Sequence, residues 1–242
     1  MANQDRKMKG KLYLIPSTLG DVPSSGSLPE INLRIIEKLR YFVVEDVRTA
    51  RRFLKKILPA INIDGLSFQI LDEHTKPDNV SSFLEPALEG KDMGLLSEAG
   101  LPCVADPGAL LVSLAHENGV KIVPLTGPSS VFLALMASGF NGQNFAFSGY
   151  LPVDRKARTT KIRELESAAY QQDETGIFIE TPYRNQQLME ALLETCRLQT
   201  RICLAVNLTL PDEFIISRTV EQWKRLKWPD IQKKPAVFLL YR

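Results

Sequence analysis

The sequence predicts an α/β protein of two domains, with a mainly parallel sheet in the first and a mixed sheet in the second. Three observations carry this. Short apolar runs alternate with helical periods through the first half; a loop rich in small residues, residues 97–108 (SEAGLPCVADPG), stands directly behind one of those runs; and two strand candidates in the second half lie too close together for a helix between them. A length of 242 residues exceeds the common single-domain size and favours two cores.

The elements follow in order. Residues 12–15 (LYLI) form a strand that empties into Pro16, Ser17, Thr18, Leu19 and Gly20. Ile31, Ile35, Ile36 and Leu39 recur at helical spacing, and residues 41–44 form a strand stopped by Glu45 and Asp46. A helix over 49–58, a strand over 68–71, a helix over 80–88, a strand over 93–96, a helix over 109–117 stopped by Gly119, and a strand over 121–125 complete the first half. This alternation implies right-handed crossovers and a parallel sheet covered on both faces. Within the loop, Asp106 reads as a helix cap with Pro107 in the first turn, leaving backbone amides for an anionic group.

TGPSS then opens a helix over 131–137, and the glycine-containing stretch 139–144 has a linker's composition. Strands are expected at 145–147, 176–179, 202–206, 214–217 and 237–241, with helices near 162–170 and 187–196. Only residues 208–213 separate the third and fourth strands, which predicts an antiparallel hairpin. The expected division is a disordered leader over 1–9, a first domain over 10–125 and a second over 126–242.

With 44% apolar and 24% charged residues, the chain has globular composition, and its net charge of +2 neither requires nor excludes a nucleic-acid partner. The apolar runs are too short to cross a bilayer, so no membrane association is expected. Cys103, Cys196 and Cys203 form no CxxC pair, which predicts free thiols in a reduced, cytoplasmic setting and no metal site. No two of the 14 glycines stand two apart, so GxGxxG is absent, as are GxxxxGK[ST], HExxH and GxSxG. His116 falls on a helix as a packing or surface residue, whereas His74 lies in a loop behind a strand.

Six segments in a fixed order carry a resemblance: GKLYLIPSTLGD, VVEDVRTARRFL, SEAGLPCVADPG, VPLTGPSSVFLALMASGF, FSGYLP and IFIETPYR. On them the chain resembles the tetrapyrrole methylase superfamily, and within it looks most like the members that methylate ribosomal RNA. The resemblance implies S-adenosyl-L-methionine as methyl donor, bound in a cleft between two α/β domains, and a homodimer. It also implies cofactor contacts at Leu19, at the backbone of Gly100, Leu101 and Pro102, and at Val104, Ser129, Ser130, Glu180, Leu208 and Ala236. Ser129 and Ser130 equally fit simple helix capping.

Methyl transfer from a sulfonium needs alignment and exclusion of water rather than a metal. A ribose hydroxyl acceptor would in addition need its proton removed. Glu45, Asp46 and His74 at strand ends are the candidates, with Arg48 orienting the carboxylate pair; the alternative is that these carboxylates only cap the next helix. Two basic clusters could follow an RNA backbone or be solvated helix faces: Arg48, Arg51, Arg52, Lys55 and Lys56, and Arg155, Lys156, Arg158, Lys161 and Arg163. AVNLTL stands where the rRNA enzymes have an ARELTK-like run, and Pro235 and Ala236 stand where they have Gly-Glu; both changes lean toward the tetrapyrrole enzymes. Three readings follow: ribose 2′-O-methylation of ribosomal RNA, C-methylation of a porphyrinoid, or a cofactor-binding module without efficient catalysis.

Overall fold

A computed structural model describes residues 8–23, 26–72, 74–75 and 80–242. The chain divides into two compact units, Met1–Pro128 and Ser129–Arg242. Residues 1–7 of the expected leader lie outside the described residues.

The first unit is built on five parallel strands: β1 (Lys11–Ile15), β2 (Tyr41–Val44), β3 (Ser67–Ile70), β4 (Met93–Leu96) and β5 (Lys121–Pro124). Their spatial order is β3-β2-β4-β1-β5. Side chains alternate across the pleat, so β1, β2 and β4 each feed two cores. Ile15, Phe42, Val44 and Leu96 pack with Ile36 of α1 (Glu30–Ile36) and with Ala50, Leu54 and Ile57 of α2 (Val47–Ile57). Leu12, Val43, Met93 and Leu95 pack with Leu84, with Ala87 of α3 (Glu85–Leu88), and with Leu111 and Ala115 of α4 (Gly108–Glu117). The helix expected over 80–88 is instead a 3₁₀ turn, Ser81–Leu84, followed by the single turn of α3. Pro86 has no N–H to donate back into the preceding turn, and one continuous α-helix would have needed it.

The second unit carries a mixed sheet of β6 (Phe145–Tyr150), β7 (Thr175–Ile179), β8 (Arg201–Val206), β9 (Phe214–Thr219) and β10 (Ala236–Tyr241), in the order β6-β7-β10-β8-β9. Only β6 and β7 run parallel, and β8 and β9 form the antiparallel pair read from their short connection. Phe178, Ile202, Leu204, Val206, Phe238 and Leu240 face one way. They meet α6 (Arg155–Gln172), α7 (Asn185–Thr195) and α8 (Val220–Arg225) in a single core. The buried residues of α5 (Ser130–Ser138) take no part in that core, and α5 runs along β8, β9 and β10 on the opposite face.

Several boundaries differ from expectation for local reasons. α6 begins at Arg155, seven residues before the expected start, because the Asp154 side chain accepts the Ala157 N–H and caps it there. α8 was not expected at all; Thr219 and Gln222 start it with a reciprocal capping box. The stretch 139–144 is not a linker. Gly139 closes α5 in the left-handed conformation, and Asn141 is pinned to Asp173 and Thr175 inside the second unit.

Trp223 anchors α8 to the sheet: its ring is fully buried, and its indole N–H donates to the Ile202 carbonyl at 2.9 Å. Trp223→Ala is expected to lower stability by about 3–5 kcal/mol, read as a lower urea midpoint for the transition that unfolds the second unit.

Candidate active site

In the first unit the functional geometry follows from strand order. The chain leaves β1 and crosses over β4 to reach β2, whereas it leaves β4 and crosses over β1 to reach β5. Right-handed crossovers in opposite directions lie on opposite faces, as the two cores show. The segments behind β1 and β4 therefore diverge from neighbouring strands, and that divergence opens a crevice at the carboxyl edge. Its base is bonded shut: Ser17 Oγ donates to the Ser97 carbonyl at 2.6 Å, and the Ser17 amide donates to the Gly100 carbonyl at 3.0 Å.

Leu19, Gly100, Leu101 and Pro102 come together on these two loops. Gly100 has φ +72°, and a Cβ there would stand 3.1 Å from Leu19 Cδ2. Glycine meets both constraints at once. Pro102 offers only a carbonyl, so backbone donation from the trio rests on Gly100 and Leu101. Val104 lies farther along the loop and is exposed. Cys103 and Ala105 hold positive φ, an unusual conformation for residues with side chains, and Asp106 holds the turn by accepting the Cys103 and Gly108 amides at 2.8 Å each. Asp106 thus differs from its expected role. α4 starts at Gly108 with Pro107 as the flanking residue, and the Gly108 amide expected to await an anion is already bonded to the Asp106 carboxylate.

Three carboxylates gather where β2 and β4 end. Val44 pairs with Leu96 in register, which sets Glu45 beside the segment holding Ser97 and Glu98. Burial, then the charges of Asp106 and Glu98, push the Glu45 carboxyl above its ordinary range. Burial raises Asp106 as well, against the two amide bonds that favour its ionised form. Asp46 caps α2 by accepting the Thr49 amide at 2.7 Å, and this bond lowers its pKa. Arg48 is exposed in the first turn of α2. His74 is exposed behind β3, its amide donating to Asp72 at 3.0 Å. Sequence reading missed Glu98, whose closeness to Glu45 depends on strand order.

In the second unit, register gathers three more candidates at one sheet edge. Val237 pairs with Ile179 and Ala236 pairs with Val206, so Glu180 behind β7, Ala236 at the start of β10 and Leu208 behind β8 sit at the same end of three adjacent strands. All three are buried. One oxygen of Glu180, Oε1, accepts the Thr181 amide and both Nε and Nη2 of Arg184. The other, Oε2, is buried with no hydrogen-bond partner among the described residues. The Glu180–Arg184 pair was also missed, although four-residue spacing in ETPYR was its signal. Ser129 caps α5 with a long 3.5 Å bond from the Phe132 amide, and Ser130 opens that helix.

A buried carboxylate oxygen without a donor is costly unless something supplies one. The ammonium or ribose hydroxyls of S-adenosylmethionine are such donors. In the first unit, taken by itself, the Gly100–Leu101 backbone and Leu19 have the chemistry for a carboxylate and for apolar parts of such a group. The residues fit that group.

Residues 26–223 match the profile of a protein family. A Ribosomal RNA small subunit methyltransferase I from Vibrio cholerae serotype O1 is 32% identical over 204 residues, covering 84% of this chain and 67% of that protein. Its namesake from Halalkalibacterium halodurans is 30% identical over 193 residues, covering 78% and 62%. The chain thus spans between 62% and 67% of these two relatives' lengths. The crystal structure of the methyltransferase CobJ superposes with a TM-score of 0.65 at 21% identity, covering 96% of this chain and 94% of that one. The cobalt precorrin-4 methyltransferase CbiF superposes with a TM-score of 0.61 at 19% identity, with the same coverages. The class defined is a methyltransferase that takes its methyl group from S-adenosylmethionine. The chain belongs to the Tetrapyrrole (Corrin/Porphyrin) Methylases, the family matched above.

A carboxyl whose pKa rises on folding adds stability while protonated and loses that contribution as pH climbs through its folded value. Glu45→Gln is therefore expected to gain stability relative to the parent as pH rises from the ordinary carboxylate value of 4.5 toward neutrality, with the gap closing below that value. Urea midpoints measured across this window check it.

Proposed function

We propose that the protein methylates a ribose 2′-hydroxyl of small-subunit ribosomal RNA. The observation that carries this reading is the likeness along 84% of the chain to a methyltransferase named for that RNA. S-adenosylmethionine, when bound, supplies a methyl group activated by its sulfonium. The chain's own work is then to hold donor and acceptor in line, exclude water and take up a proton.

Glu45 is the group we assign to the proton. Its carboxyl sits nearer neutrality than an ordinary glutamate, which improves a base working near pH 7. Asp46 is committed to Thr49 and shifted the other way, which suits it to position α2 and Arg48. His74 is a second candidate base behind β3. Gly100, Leu101, Pro102, Leu19 and Val104 in the first unit, and Ser129, Ser130, Glu180, Leu208 and Ala236 in the second, are the proposed donor contacts. A homodimer fits the apolar outer side of α5, where Phe132 and Met136 are exposed. A cytoplasmic location fits the three free cysteines, of which burial pushes Cys103 up to about 11 and Cys196 and Cys203 up to about 12.

Porphyrinoid C-methylation has one specific support. Asn207 stands where a glutamate is expected in the rRNA enzymes; it has φ +51°, donates to Asp212 at 2.7 Å, and its amide donates to the Pro235 carbonyl. This links both departures from the rRNA pattern in one cluster. A Soret-region change on adding tetrapyrroles would favour this reading, and cofactor binding without methylation of either acceptor would favour a binding module.

Mass mapping of small-subunit ribosomal RNA from a deletion strain is expected to show loss of one ribose methyl group; an unchanged map removes the rRNA assignment. With purified protein, Glu45→Gln is expected to lower kcat about 10²–10⁴-fold while the calorimetric heat of S-adenosylmethionine binding stays unchanged.

A further inference from the structure

We propose that the exposed face of α2, with the trough at its foot, carries the phosphate backbone of the RNA strand whose nucleotide is methylated; this rests on the RNA reading above. α2 turns Ala50, Leu54 and Ile57 into the core and presents Arg48, Arg51, Arg52, Lys55 and Lys56 outward, with no carboxylate anywhere in the helix. Arg48 lies in its first turn, where the helix dipole disfavours a cation. Helix stability therefore does not explain that residue, and a partner that supplies negative charge does.

Local acids do not cancel the face. Arg51 pairs with Asp64 and Lys56 with Asp21, both exposed contacts worth little in water. Lys55 donates to the carbonyls of Pro59 and Ile61. Arg48 feels the charge of exposed Asp46 without forming a salt bridge to it, and Arg52 has no salt bridge among the described residues. Arg51, Arg52 and Lys55 also line an open trough of about 420 Å³ with Ile61, Asn62, Ile63 and Asp64. From Arg48 to Lys55 the helix rises roughly 10 Å at 1.5 Å per residue, long enough to meet more than one phosphate of a strand. α2 also begins directly behind Glu45, so a strand tracking these cations leads to the carboxyl edge of the first sheet.

The second basic cluster is interrupted on folding. Arg158 is buried and donates to the Val153 carbonyl; the exposed pairs Arg155–Glu194 and Lys161–Glu164 count for as little as those on α2. α6 further carries Glu164 and Glu166 among its cations. It serves as the internal control.

The test measures binding of extracted small-subunit ribosomal RNA between 50 and 200 mM salt (about the range over which phosphate contacts are read). The parent is compared with Arg51→Gln/Arg52→Gln and with the α6 pair Lys156→Gln/Arg163→Gln. The α2 double variant is expected to bind about tenfold or more weakly, and to lose about 1.4 from the slope of log affinity against log salt, near 0.7 per single-strand phosphate contact. The α6 pair is expected to match the parent, and all three to bind S-adenosylmethionine and unfold alike. If the parent binds RNA and the α2 variant keeps its affinity and slope, or the α6 pair loses as much, the α2 assignment alone is overturned. If the parent binds no RNA, the RNA reading falls and this one with it.

Discussion

The arrangement of the first unit depends on one constraint: β1 and β4 are parallel neighbours whose continuations must leave toward opposite faces of the sheet. Chain connectivity and crossover handedness impose this, and no particular side chain does. The crevice at the carboxyl edge is its geometric result. The Ser17 bonds to Ser97 and Gly100 then fix how far the two loops spread. Gly100 in its left-handed conformation and the Asp106 clamp are local adjustments that let a loop of small residues hold one shape there. The loop's unusual composition is thereby explained as a demand of backbone conformation.

Charge is distributed unevenly over this scaffold. Glu45 stands half-buried near Asp106 and Glu98, and burial followed by their charges opposes its ionisation. A few residues away, α2 carries five cations with a chain net charge of only +2. Balanced totals thus conceal a sharply divided surface, which is why net charge alone could not indicate the partner. In the second unit Glu180 concentrates three donors on one oxygen and leaves the other bare. A carboxylate so lopsidedly bonded is held in orientation by the protein while keeping acceptor capacity for something else.

Much of the architecture could be read from residue patterns. β2 and β4 fall on the expected residues, because apolar runs end abruptly at Glu45 and Ser97. The β8–β9 hairpin followed from a connection too short for any other pairing. What escaped the reading were local capping effects and proline's missing donor. Asp154 and Thr219 extend or create helices through side-chain bonds that periodicity does not register, and Pro86 breaks a helix whose apolar period continues through it. Candidate site residues behind strands were recognisable because strand ends are where ligands gather. Their grouping was not, since the adjacency of Glu45 to Glu98, or of Glu180 to Ala236 and Leu208, is a matter of strand order and register. Likewise the two basic clusters look equal as text, and only packing shows Arg158 turned inward and Arg52 turned out.

Asp106 has a consequence for what the crevice admits. In many nucleotide-binding α/β proteins the amides opening a helix behind a central strand receive a pyrophosphate. Here the chain's own acid fills that position at α4, bonded to Gly108. The Gly108 amide is thereby taken up within the chain, and an acid stands where the opening of the helix would otherwise present that donor.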